Sequence, residues 1–158
     1  MNQGATSWNS PRSEQVEGND MKLPQTGGCL CGKIRYEITE APLEVYTCHC
    51  LDCQRLTSSA FSISILVPDR GFHLAGIEPR ALESTADSGR VKTRLVCPEC
   101  GCWICGQAAS DHGLRRVRCG TLDDTSWVRP TVHYWTRSQQ AWLMLPEGDQ
   151  TYETQPAL

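Results

Sequence analysis

GGCLCGKIRYEI, residues 27–38, joins two features that decide how this chain is read. Cys29 and Cys31 form a C-x-C pair. After them Ile34, Tyr36 and Ile38 alternate with Lys33, Arg35 and Glu37, the two-residue period of a half-buried strand. In an extended chain residues i and i+2 point the same way, so both sulfurs can reach one metal. The stretch therefore predicts a β-strand with two soft ligands at its entrance.

The same period recurs downstream. In FSISILV, Phe61, Ile63, Ile65 and Val67 share one face, and Ser62 and Ser64 the other. In RVKTRLV, Val91, Thr93 and Leu95 oppose Arg90, Lys92 and Arg94. LRRVRCG and TVHYWTR predict two later strands. Turn signals at Ala41-Pro42, Pro68-Asp69, Asp87-Ser88-Gly89 and Pro146-Glu147-Gly148 separate them. No segment has a long 3.6-residue period, and one short helix is expected after Cys53, through QRLTSS. The fold class is mainly β. Residues 1–24 are poor in apolar side chains and read as a disordered N-terminal tail, 25–153 as one domain, and 154–158 as a C-terminal tail.

Charge and composition narrow the function classes. A net charge of −3 sets up no field to gather nucleic acid. No apolar run approaches the roughly 18 residues of a membrane helix, and the first 25 residues lack the apolar core of a signal peptide. The expected setting is the reducing cytoplasm. There the 10 cysteines read as metal ligands rather than as a disulfide framework.

The cysteines fall into three groups. Cys29 and Cys31 are the first; Cys48, Cys50 and Cys53 in CHCLDC are the second; Cys97, Cys100, Cys102 and Cys105 in CPECGCWIC are the third. Cys119 stands apart. Zinc takes four tetrahedral ligands at a structural site, and three plus an open position at a catalytic one. A C-x-x-C turn can wrap a metal, so groups one and three can supply a closed site of Cys29, Cys31, Cys97 and Cys100. Metal binding there would add directly to folding free energy. The second group has three sulfurs and needs one more partner: water, a substrate or another side chain. His49 points away from that metal in an extended chain and reads as a buried, hydrogen-bonded histidine.

GGCLCGKIRYEI, CHCLDCQRLTSSAF, CPECG and GTLDDTSWVRPTVHYWTRSQQAW, in this order, resemble the glutathione-dependent formaldehyde-activating enzyme family, which includes the centromere protein V group. The resemblance runs from about Gly27 to about Tyr152. It implies a β-tent fold, with small sheets around a structural zinc and few short helices. It implies two zinc ions per chain, a structural one on Cys29, Cys31, Cys97 and Cys100 and a catalytic one on Cys48, Cys50 and Cys53. The activity it implies is addition of glutathione to formaldehyde, giving S-hydroxymethylglutathione, a carbon–sulfur lyase reaction. This chain departs from the family pattern at Cys102, Cys105 and Cys119. Cys102 and Cys105 could replace Cys97 and Cys100, or one could close the second site. Cys119 reads as a small buried hydrophobe.

Three thiolates leave zinc with a net negative charge, which weakens it towards water and suits a soft sulfur ligand. A free thiol is mostly protonated at neutral pH and loses its proton on coordination. Glutathione's carboxylates call for a basic face nearby. Arg90, Lys92 and Arg94 offer one and Arg115, Arg116 and Arg118 another, although a solvated strand face explains either stretch. Gln54, Arg55, His133 and Trp135 are further candidates beside the site. The expected function is a zinc-dependent lyase joining a glutathione-like thiol to a small aldehyde. The alternative is a non-catalytic, zinc-stabilised binding module. The expected partners are those two small molecules, with no nucleic acid and no membrane; the oligomeric state is left open, a homodimer among the options.

Overall fold

The computed structural model describes residues 21–86, 89–108 and 112–155. Most of the expected tails, residues 1–20 and 156–158, and the Asp87-Ser88 part of one turn lie outside the described residues. Along the chain run β1 (Gln25–Gly28), β2 (Ile34–Ile38), β3 (Glu44–Cys48), α1 (Leu51–Thr57), β4 (Ser62–Pro68), β5 (Phe72–Gly76), β6 (Arg80–Thr85), β7 (Val91–Val96), β8 (Trp103–Ala108), β9 (Leu114–Arg118), β10 (Val132–Tyr134) and β11 (Gln150–Tyr152). The fold is mainly β, a β-tent of two sheets. A three-stranded sheet has the order β1-β2-β5, and an eight-stranded sheet the order β11-β10-β3-β4-β9-β8-β7-β6. Pairing is antiparallel except where β10 runs parallel to β3 and to β11.

The alternation in β2 does what its period predicts. Ile34, Tyr36 and Ile38 are buried while Arg35 and Glu37 are exposed. These three meet Ile65 and Val67 of β4, Ile104 of β8 and Val117 of β9 in one core. Full burial of each aliphatic side chain is worth about 1.5–3 kcal/mol. Gly27 lets the sheets close at one edge: a Cβ there would lie 2.3 Å from the Tyr36 ring and 2.4 Å from Thr121 O. The Tyr36 hydroxyl hydrogen-bonds Thr121 Oγ1 at 2.8 Å across the same gap.

Two expectations need correction. The helix does not follow Cys53; it spans Leu51–Thr57 and carries Cys53 within it, with Cys50 as its N-cap. An extended Cys50 and a sulfur able to accept the Cys53 N–H start the helix two residues before Cys53. The serine face of β4 is not solvated either, since Ser62 and Ser64 are as buried as Ile65. Long side chains from the same sheet cover that face, with the Arg118 guanidinium of β9 donating to Ser64 Oγ.

Candidate metal centres and cleft

The first centre forms where two turns meet. The loop from β1 into β2 presents Cys29 and Cys31, and the turn from β7 into β8 presents Cys97 and Cys100. Each turn ends on a glycine in the left-handed region, Gly32 at φ 74 and Gly101 at φ 72. That conformation lets Gly32 N–H return to Cys29 O (3.0 Å) and Gly101 N–H to Cys97 O (2.9 Å). The four sulfurs lie within 4.8 Å of one another. Cys29 and Cys31 are 3.4 Å apart and Cys31 and Cys97 3.7 Å. Those separations are far from the roughly 2.05 Å of a disulfide. They approach the edge of about 3.8 Å for a tetrahedron with Zn–S bonds of about 2.3 Å. The Ile34 N–H points at Cys29 Sγ (3.2 Å), a contact that favours a thiolate. The donor set fits a closed, soft, four-coordinate metal.

The second centre is local. Cys48 ends β3, Cys50 caps α1 and Cys53 sits in the first turn of that helix. Their sulfurs also lie within 4.8 Å of one another, and all three residues are half-buried. Among the described residues no further histidine, cysteine or carboxylate joins the cluster. Hydrogen bonds from Cys48 and Cys50 pull the Cys53 thiol well below its ordinary value, while the same contacts push Cys48 up. A shared proton among crowded thiols behaves this way, and the donor set again fits a soft metal.

His49 does not join that cluster. It is fully buried, with Nε2 2.9 Å from Thr47 Oγ1. The same hydroxyl reaches His133 Nδ1 at 2.6 Å, and His133 Nε2 reaches Asp149 Oδ2 at 3.1 Å. Burial pulls His49 down to about 4. His133, expected beside the site, is thus a member of this buried polar chain behind it. Gln54 is also committed inward: its amide donates to His49 O (2.7 Å) and Ser138 O (2.9 Å) and pins the cysteine loop.

An open cleft lies against Cys48, Cys50 and Cys53. β7 and the residue before it line it with Arg90, Lys92 and Arg94, and β9 with Arg116 and Arg118. Both basic stretches of the sequence therefore converge on one cleft, because β8 alone separates β7 from β9 in the sheet. Arg115 is the exception. It turns to the other face, donates through Nε to Asp69 Oδ1 (2.6 Å) and lies 5.2 Å from the Phe72 ring. The Arg118 guanidinium stacks 3.3 Å from the Trp103 ring centroid and donates to Ser64 Oγ at 2.7 Å. Arg94 lies 5.8 Å from the same ring. A second recess across α1 is bordered by Cys50, Arg55, Lys92, Trp135 and Arg137. Trp135 and Arg55 flank the site there.

Several lining residues carried no signal in the sequence. Tyr46 and Tyr134 meet edge to face at 5.3 Å, and burial pushes Tyr46 up to about 12, so it keeps its proton at neutral pH. Ser62 Oγ is buried beside Cys53 without a full hydrogen bond. Trp103 and Gln107 come from β8. The extra cysteines replace nothing. Cys105 and Cys119 are buried in the main core, and Cys102 packs against it. Burial pushes all three thiols up, Cys119 to about 12, which keeps them protonated.

A mainly β domain with a four-thiol clasp and a three-thiol cluster under a basic cleft is the class of protein on view. The family profile described as glutathione-dependent formaldehyde-activating enzyme matches residues 24–138, and the chain belongs to that family. No curated protein sequence matches the chain significantly. A crystal structure of a Rhodobacter sphaeroides protein is similar at 18% identity and a TM-score of 0.49, covering 62% of this chain and 87% of that one.

Proposed function

We propose that this chain is a cytoplasmic, zinc-dependent carbon–sulfur lyase that joins a glutathione-like thiol to a small aldehyde such as formaldehyde. The observation that carries the reading is the second centre: three convergent sulfurs, with no fourth side-chain ligand among the described residues, facing a basic cleft. Cys29, Cys31, Cys97 and Cys100 would hold a structural zinc, and Cys48, Cys50 and Cys53 a second ion. When bound there, zinc supplies a soft Lewis acid that favours the thiolate form of an added sulfur ligand. None of the 10 cysteines is paired in a disulfide, which suits a reducing compartment.

The chain's own residues place the substrates. Lys92, Arg94 and Arg118 hold the carboxylates of the thiol substrate and orient its sulfur towards the three cysteines. Gln54 fixes the loop that carries those cysteines, so the target does not drift. Tyr46 and Tyr134 stay protonated and give the wall a neutral, partly apolar surface against which the thiol's body rests. In the reaction the sulfur bonds to the carbonyl carbon, the C=O π bond breaks, and the thiol proton ends on the new hydroxyl.

Exchange spectroscopy of glutathione with formaldehyde tests the proposal. The zinc-loaded chain is expected to interconvert free and hydroxymethylated thiol faster than protein-free buffer, and Cys48→Ser to abolish the gain. Exchange at the buffer rate, with both metals bound, would leave a non-catalytic zinc-stabilised binding module as the better reading.

A further inference from the structure

The charge of the cleft does not match glutathione itself. The chain carries a net charge of −3, yet the cleft is lined by Lys92, Arg94 and Arg118, by Arg90 and Arg116, which have interactions of their own, and by one carboxylate, Asp52. Five cations elsewhere are matched: Lys33 pairs with Glu99, Arg35 with Asp123, Arg70 with Glu40, Arg115 with Asp69 and Arg129 with Asp149. No carboxylate pairs with Lys92, Arg94 or Arg118 among the described residues. The Nε atoms of Arg94 and Arg118 are buried donors without a partner. Buried guanidinium donors without a partner carry a cost that acceptor oxygens relieve. Glutathione brings two carboxylates but also an ammonium group, and the cleft offers that group little. Asp52 is half-exposed and already 4.0 Å from Arg55. The recess across α1 adds two more cations, Arg55 and Arg137.

We infer that the cleft is an anion subsite selecting a small thiol that carries at least two net negative charges and no free ammonium group. This rests on the thiol-binding reading of the three-cysteine centre and names the substrate class more narrowly. Lys92, Arg94 and Arg118 are the specificity determinants. Trp103, with its ring centroid 3.3 Å from Arg118, holds that guanidinium in place at the cleft wall.

Three ligands that differ only in charge test it: the glycinamide of glutathione, glutathione, and N-acetylglutathione. Each is S-methylated, so that binding is read without turnover, by calorimetry on the zinc-loaded full chain at low salt. Affinity should rise in that order, by about tenfold per added negative charge, and the ladder should compress at high salt. Lys92→Gln and Arg118→Gln should flatten it, and the salt series on the unmodified chain reads the same charge dependence if either variant fails to fold. Equal affinity for all three, or tightest binding of unmodified glutathione, overturns the inference. The exchange assay is read separately with the free thiols. A steep ladder without accelerated exchange keeps the anion subsite and removes the lyase reading. Accelerated exchange with a flat ladder does the reverse.

Discussion

The two cysteine clusters use the same ligand atom and differ in nearly everything else. The four-thiol centre joins turns from distant parts of the sequence, with Cys31 and Cys97 66 residues apart. It is strapped on the outside by Lys33 and Glu99 at 2.7 Å. The three-thiol centre lies within one loop and one helical turn, facing a basic cleft. On the proposed reading long-range closure makes the first a folding device, because a metal there would replace contacts that a small β-domain otherwise lacks. Local closure frees the second from that duty. In the proposed reading sulfur count and surrounding charge, rather than ligand type, separate a clasp from a reaction centre.

The largest expected effect breaks the clasp. Cys97→Ser should cost on the order of 5 kcal/mol or more of folding free energy, enough to leave much of the chain unfolded. Cys48→Ser should leave the melting temperature within a few degrees and remove about one metal per chain. Metal content and thermal unfolding of both variants check the contrast. Equal losses of stability would erase it.

Chelation should divide the centres in time. A three-sulfur site gives up its metal before a closed four-sulfur site, so a chelator titration should abolish thiol–aldehyde exchange while near-ultraviolet circular dichroism stays native. Simultaneous loss of both signals would contradict the division of roles.

A smaller contrast lies within one strand. Arg115 and Arg118 come from a single basic run, but β9 sends Arg115 to Asp69 and Arg118 to the cleft. Arg118→Gln should raise KM for the thiol about tenfold with little change in stability. Arg115→Gln should instead lower stability by roughly 1–2 kcal/mol and leave KM alone. Steady-state kinetics and urea unfolding of the pair distinguish these outcomes.

The smallest effect concerns Glu44, beneath the Tyr134 hydroxyl, which donates to its carboxylate at 3.0 Å. Burial raises the Glu44 carboxyl above its ordinary value of 4.5. The folded state therefore holds that proton more tightly than the unfolded chain. The associated stability is present below about 4.5 and is lost as pH rises through the folded value. Glu44→Gln should thus be more stable than the native chain at pH 7, with the gain shrinking towards pH 4. A gain independent of pH would place the effect elsewhere.

Both clusters were legible in the sequence because their spacing is local chemistry. C-x-C, C-x-x-C and the glycines that follow them describe the turns directly, and Ile34, Tyr36 and Ile38 announce their own buried face. The cleft was not legible in the same way. Its walls come from β3, β7, β8, β9 and β10, and their neighbourhood is set by sheet order rather than by any short pattern. Ser62 and Ser64 looked like a solvent face because alternation reports two faces without saying what covers the second. The Arg115–Arg118 run read as one feature, and only the strand's register with Asp69 on one side and Ser64 on the other divided it. His133 sits in a motif shared with Trp135, yet a partner 16 residues away, Asp149, drew it into the interior.

Zinc X-ray absorption, on the fully loaded chain before and after a thiol is added, bears most directly on the claim that the Cys48, Cys50 and Cys53 centre is one sulfur short. Seven protein sulfurs shared between two ions should rise to about eight sulfurs per chain with saturating thiol. A sulfur count that does not change, with the thiol shown to be bound, would contradict it.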